Sequence, residues 1–133
     1  MKLTINVDGG ARGNPGPAAI GIVIRDSNGE VIGDLGESIG EATNNVAEYK
    51  ALIRGIQMAI ELGGDELDIR GDSELVVKQM LGQYKVKHPD MKPLHAEANE
   101  ALAGISGWSI THVRREQNSE ADALVNQALD AAI

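Results

Sequence analysis

Four carboxylates, Asp8, Glu48, Asp72 and Asp122, each stand where local structure would push an acid toward one shared point. Asp8 closes an alternating run and is followed at once by Gly9-Gly10-Ala11-Arg12-Gly13-Asn14-Pro15-Gly16. Glu48 lies in the first turns of a helical pattern opened by Thr43-Asn44-Asn45, Asp72 ends a second strand-like run, and Asp122 begins the last helix. Each acid has an ordinary explanation. Asp-Gly is a turn signal. With Asn45 as N-cap, Glu48 becomes the third helical residue of a capping box. Asp72 fits an N-cap, and Ser119-Glu120-Ala121-Asp122 fits the S-x-x-D capping pattern. Four independent caps would have no reason to converge. A pair of divalent cations gives them one, and makes the chain a candidate for phosphoryl transfer.

Hard carboxylate ligands favour Mg²⁺, with Mn²⁺ as the alternative. Zinc fits poorly: there is no cysteine, and the three histidines are scattered without ligand spacing. His95 reads as a surface position on the third helix and His112 as a strand residue. After Asp8, residues 9–17 hold four glycines, two prolines and one charge, Arg12. A backbone stripped of Cβ atoms lets a phosphate or sugar come close. It is not a P-loop, since no Gly-Lys-Ser/Thr follows and no helix opens there.

The elements that must position these residues follow from hydrophobic period. Leu3, Ile5 and Val7 alternate with Thr4, Asn6 and Asp8, a strand with one polar face. Residues 18–25 and 30–39 are two further strands, joined by Asp26-Ser27-Asn28-Gly29 into a hairpin. From 43 to 62 the period becomes helical, and Gly63-Gly64 ends it. Small residues along this helix, Ala51 and Gly55, would let it lie close to the sheet. Residues 66–70 form a short strand, 73–81 a short helix and 82–92 a loop. Residues 93–103 form a helix with proline first, 108–113 the last strand and 119–131 the final helix. The order β-β-β-α-β-α-α-β-α implies an α/β fold, one mixed sheet with helices on both faces.

At 133 residues the chain is expected to form one domain, 1–133, with a core that is aliphatic because phenylalanine is absent and aromatics are 2%. No stretch approaches a membrane span and the N-terminus reads as a strand, so a cytoplasmic monomer is the expectation. The net charge of −8 argues against a polyanionic partner at face value. Two divalent ions would return four positive charges to the site. The bases also cluster: Lys78, Lys85, Lys87, His88 and Lys92 share one stretch with Asp90 as its only acid. That stretch reads equally as a solvated loop or as a contact to a nucleic-acid backbone.

Four ordered blocks now resemble a known family, the type 1 ribonucleases H, in their compact archaeal-like branch also found in some bacteria. They are Val7-Asp8-Gly9-Gly10-Ala11-Arg12-Gly13-Asn14-Pro15-Gly16-Pro17, Thr43-Asn44-Asn45-Val46-Ala47-Glu48-Tyr49, Asp72-Ser73-Glu74-Leu75-Val76 and Asn118-Ser119-Glu120-Ala121-Asp122. The resemblance implies a ribonuclease H-like fold with a five-stranded mixed sheet. It implies an endoribonuclease that hydrolyses the RNA strand of an RNA–DNA hybrid, leaving 5′-phosphate and 3′-hydroxyl ends. Asp8 would bridge two Mg²⁺ ions, Glu48 and Asp72 would complete the site nearer the leaving group, and Asp122 would help hold the other. Gly9, Gly10, Ala11, Arg12, Gly13 and Asn14, with Thr43, Asn44 and Asn45, would contact the hybrid. Groups in the minor groove can test for the 2′-hydroxyl that distinguishes RNA from DNA.

The sequence departs from the family twice. Many members carry a histidine in the loop before the last helix, where this chain has Arg114-Arg115-Glu116-Gln117-Asn118, leaving Arg115 or Glu116 as substitutes. The basic, tryptophan-containing protrusion of some bacterial members is replaced by the loop at 82–92. Two other readings remain: a catalytically weak hybrid-binding module, and a nuclease of broader range that also cuts double-stranded RNA.

Overall fold

In a computed structural model, which describes residues 1–132, five strands form one mixed sheet in the order β3-β2-β1-β4-β5. The strands are β1 (Lys2–Ala11), β2 (Gly16–Arg25), β3 (Val31–Ala42), β4 (Glu66–Gly71) and β5 (Gly107–His112). Antiparallel pairing links β1 to β2 and β2 to β3, and parallel pairing links β1 to β4 and β4 to β5. The helices are α1 (Asn44–Glu61), α2 (Glu74–Met80), α3 (Lys92–Leu102) and α4 (Ser119–Ala131). A short 3₁₀ turn, Arg115–Asn118, leads into α4 and lies outside the expected elements. Among the described residues no helix is long and apolar enough to cross a membrane.

The expected strand through Val7 continues past Asp8, which therefore does not close it. Asp8 pairs with Gly21, Gly9 with Ile20, Gly10 with Ala19 and Ala11 with Ala18. Glycines lower strand propensity, but here the antiparallel ladder with β2 carries them. The parallel ladder with β4 stops earlier, at the Val7–Gly71 pair. Beyond that point β1 has β2 on one side and an open notch on the other.

Two helices cover opposite faces of the sheet. A Cβ on Gly55 of α1 would meet Val7 Cγ1 at 2.8 Å, so the small residue does let that helix lie close. A Cβ on Gly9 would fall 2.2 Å from the Ala47 carbonyl oxygen, so the first turn of α1 rests directly on β1. On the other face α4 approaches β2 as closely, since a Cβ on Gly21 would lie 2.1 Å from the Ala121 carbonyl. Cross-strand partners project to the same face, so Asp8, opposite Gly21, stands on the α4 side. The core between α1 and the sheet is aliphatic as expected, with Leu3, Ile5, Ile22, Ile24, Leu52, Ile56 and Ile69 fully buried. Tyr49 joins it and donates its hydroxyl to Gln79 Oε1 at 2.5 Å.

His95 differs from the expected surface position. It is half-buried, edge-on to Tyr49 with ring centroids 6.4 Å apart, and its Nε2 lies 3.3 Å from the Gln79 carbonyl. Proline stands one position later in α3 than expected, because Lys92 opens the helix.

Replacing Gly9 with alanine would drive a methyl into backbone that cannot rotate aside. The expected loss is about 1–3 kcal/mol of stability, the usual cost of overpacking. Urea unfolding of Gly9→Ala measures it, and an unchanged midpoint would contradict the close approach.

Candidate active site

The notch above Gly71 gathers three of the four acids. Asp8 projects from β1, and Asp72 follows β4 directly. Glu48 arrives from the first turns of α1, where its Oε1 accepts the Gly9 backbone N–H at 2.9 Å. One carboxylate oxygen from each of Asp8, Glu48 and Asp72 lies within 4.8 Å of the others. The capping explanations fail for these acids. Thr43, not Asn45, caps α1 by accepting from Val46 N, so Glu48 is not the third residue of a capping box. Ser73 caps α2 by accepting from Val76 N, which leaves Asp72 free of that role.

Asp8 and Glu48 are each 6% exposed. Burial is the first cause raising the Asp8 carboxyl above its ordinary range, and the neighbouring Glu48 and Asp72 charges push the same way. Burial likewise raises Glu48, against the pull of the Gly9 N–H and of its hydrogen bond to Asp8. Three oxygens of hard carboxylates, held together at an electrostatic cost, fit a hard divalent cation.

Asp122 does not join the cluster, although it lines the same groove as the other three. It stands in the first turn of α4, whose backbone is pinned on Gly21, so its position is set on the face toward which Asp8 projects and opposite to the helix that carries Glu48. Its Oδ1 lies 3.6 Å from Arg115 Nη2, and Asn126 Nδ2 donates to Oδ2 at 3.4 Å. The groove encloses about 610 Å³. Its lining includes Gly9, Gly10, Ala11, Arg12 and Asn44 from the expected binding segment, together with Arg115. Among the described residues Glu116 is not part of that lining.

The remaining binding-segment residues brace the lip. Asn14 Oδ1 accepts from Asn44 N at 2.9 Å, and Asn44 Oδ1 accepts from Ala11 N at 3.3 Å. Gly13 adopts φ 110°, the left-handed region that glycine tolerates. Thr43 uses its hydroxyl oxygen as the helix cap, and Asn45 is exposed. Arg12 forms an ion pair with Asp130 at 2.7 Å. His112, a strand residue as expected, also belongs to the site: it pairs with Gly71 and lines the groove with Asp72. Its place at the C-terminal end of a strand, where open α/β sheets set their ligands, was the available signal.

The reverse transcriptase-like family model matches residues 6–128. A ribonuclease HI of Halobacterium salinarum is 49% identical over 125 residues, covering 94% of this chain. The chain belongs to the type 1 ribonuclease H family. The crystal structure of RNase H1 from H. salinarum superposes with a TM-score of 0.96 at 46% identity, covering 98% of this chain and 99% of that one. LC11-RNase H1, solved in complex with an RNA/DNA hybrid, gives a TM-score of 0.92 at 46% identity, covering 98% of each chain. The fold is thus the ribonuclease H-like α/β fold. The chain spans 63% of the length of the curated H. salinarum relative and 36% of a bifunctional protein of Mycobacterium tuberculosis.

The raised carboxyls set a sign for stability against pH. Asp8 and Glu48 hold protons in the folded chain at pH values where the unfolded chain, with ordinary values of 3.8 and 4.5, has lost them. Their contribution is therefore complete in acid and is lost as pH rises through the folded values. The metal-free protein is expected to lose melting temperature from this site as pH rises from the ordinary carboxylate values through about 7 for Glu48 and about 10 for Asp8, and Asp8→Asn to flatten the dependence. Thermal melts in chelator at several pH values decide it; identical slopes for both proteins would contradict the shared, buried charge.

Proposed function

We propose that this ribonuclease H domain, taken as residues 1–133, is a metal-dependent endoribonuclease that hydrolyses the RNA strand of RNA–DNA hybrids in the cytoplasm. The products are 5′-phosphate and 3′-hydroxyl ends. The observation that carries this reading is the convergence of Asp8, Glu48 and Asp72 at one end of a groove bordered by the glycine-rich segment. The hybrid bound to LC11-RNase H1 supports the choice of substrate.

Asp8, Glu48 and Asp72, with Asp122 from the same groove, would hold two Mg²⁺ or Mn²⁺ ions. Such ions supply the positive charge that activates an attacking water and stabilises the departing 3′-oxygen. The protein's own part is to hold four acids ready to ligate, which removes the need for a strong general base. Beyond Gly9, which α1 covers, the backbone from Gly10 to Asn14 is half-buried to exposed and lies open for a ribose edge. Gly9, Gly10, Ala11, Arg12, Gly13 and Asn14, with Thr43, Asn44 and Asn45, form the surface that meets the hybrid. Recognition there depends on shape and the 2′-hydroxyl, so sequence preference is slight. Arg115, beside Asp122, brings a guanidinium to the groove and takes the place of the loop histidine found in other members.

Purified protein with Mg²⁺ and an end-labelled hybrid gives the direct test: fragments from the RNA strand are expected, and an intact RNA strand would overturn the assignment. Asp8→Asn is expected to lower kcat by at least the roughly 100-fold typical of losing a group essential to charge stabilisation, while hybrid binding persists. Near-normal turnover by that variant would remove Asp8 from the ion site. Substituting 2′-deoxyribose around the scissile bond is expected to stop cutting, whereas equal cleavage of all-DNA duplexes would refute the sugar readout.

A further inference from the structure

Asn118 is 1% exposed, a deeply buried polar side chain at the junction between the 3₁₀ turn and α4. Asparagine is among the preferred N-caps, since its side-chain oxygen can accept a helix N–H. Here it stands at that position without a side-chain cap bond to α4 among the described residues. Its amide instead crosses to β1. Nδ2 donates to the Val7 carbonyl at 2.9 Å, and Oδ1 accepts from Asn6 Nδ2 at 3.0 Å. The two partners are the residues immediately before Asp8 in the strand.

We propose that Asn118 is a positioning residue: it ties the start of α4 to β1 and so holds Arg115 and Asp122 in register with Asp8. Arg115 lies three residues before it and Asp122 four residues after it, about one helical turn to each side. The side chains it would position are held only loosely by their own contacts. Asp122 has contacts at 3.6 and 3.4 Å, and the Arg115 side chain is 78% exposed. A buried amide engaged through both its oxygen and its nitrogen has one orientation, so the link is directional as well as close. It also satisfies the Val7 carbonyl at the point where the ladder to β4 ends. The inference rests on the nuclease reading, because it assigns Asp122 to ion binding.

Asn118→Ala and Asn118→Asp test it, the second keeping the size and the acceptor for Asn6 while removing the donor to Val7. With hybrid substrate, kcat is expected to fall about 10- to 100-fold, the usual effect of losing an outer partner of a metal ligand. KM for the hybrid should stay unchanged and the Mg²⁺ concentration for half-maximal rate should rise. Calorimetric Mn²⁺ titration should show the tighter ion binding as in wild type and the weaker one lost. Asn6→Ala, which spares the Val7 bond, should shift the same quantities in the same direction by less, and it decides the matter if the Asn118 variants do not fold. A folded variant with wild-type kcat and Mg²⁺ dependence would overturn the proposal. So would a kcat loss that tracks the unfolded fraction and vanishes on cooling. If wild type itself fails to cut the hybrid, the nuclease reading falls; the Mn²⁺ titration then decides alone, and identical isotherms for wild type and variant would refute the positioning role.

Discussion

Everything at the working end of this molecule depends on keeping three like-charged carboxylates together in a place where water cannot fully solvate them. Left to themselves, Asp8, Glu48 and Asp72 would separate or take up protons. The fold prevents the separation with backbone, and in the metal-free chain the protons held by Asp8 and Glu48 relieve the repulsion. Asp8 is fixed by the antiparallel ladder to β2, Asp72 by its place one residue beyond β4, and Glu48 by the Gly9 N–H. The acids are poised for cations by rigid elements, and a charge arrangement unfavourable in the metal-free chain is sustained by packing elsewhere.

That arrangement requires the sheet to end unevenly. Because β1 outruns β4, an acid from the α1 side and an acid on the α4 side can meet over the same strand end. Both covering helices must also come close. Gly9 and Gly55 permit this for α1 and Gly21 for α4, with backbone or core atoms where a side chain would otherwise stand. The fourth acid, on α4, belongs to the layer opposite the helix that carries Glu48, so its distance from the other three is set by helix–sheet packing and by the Asn118 link to Val7.

Much of this was legible in the residues. Alternation in Leu3-Ile5-Val7, the hairpin at Asp26-Ser27-Asn28-Gly29 and the helical period after Thr43 are local signals, and each led to the right element. Less legible was anything set by a neighbour. The continuation of β1 through Gly9 and Gly10 depends on β2 lying alongside, and glycine in isolation argues against a strand. The cap of α1 was not legible, because residue types that can cap stand in a row, and only the chain direction into α1 selects Thr43 over Asn45. His112 has no motif spacing to any acid, and Asn118, though it opens the block that ends at Asp122, shows no sign in sequence of its tie to β1; register with β4 and a cross-layer hydrogen bond place them.

By itself, the sequence determined the element types, the aliphatic character of the core, and which acids stand at element ends, because hydrophobic period and side-chain chemistry act over a few residues. Family membership was also carried there, by four blocks in order. The tertiary structure alone decided which carboxylates meet: three share a point while Asp122 lies outside their cluster in the same groove, beside Arg115. Distances between residues far apart in the chain are fixed by strand register and by how near two layers can pack, and neither quantity is a property of any one segment.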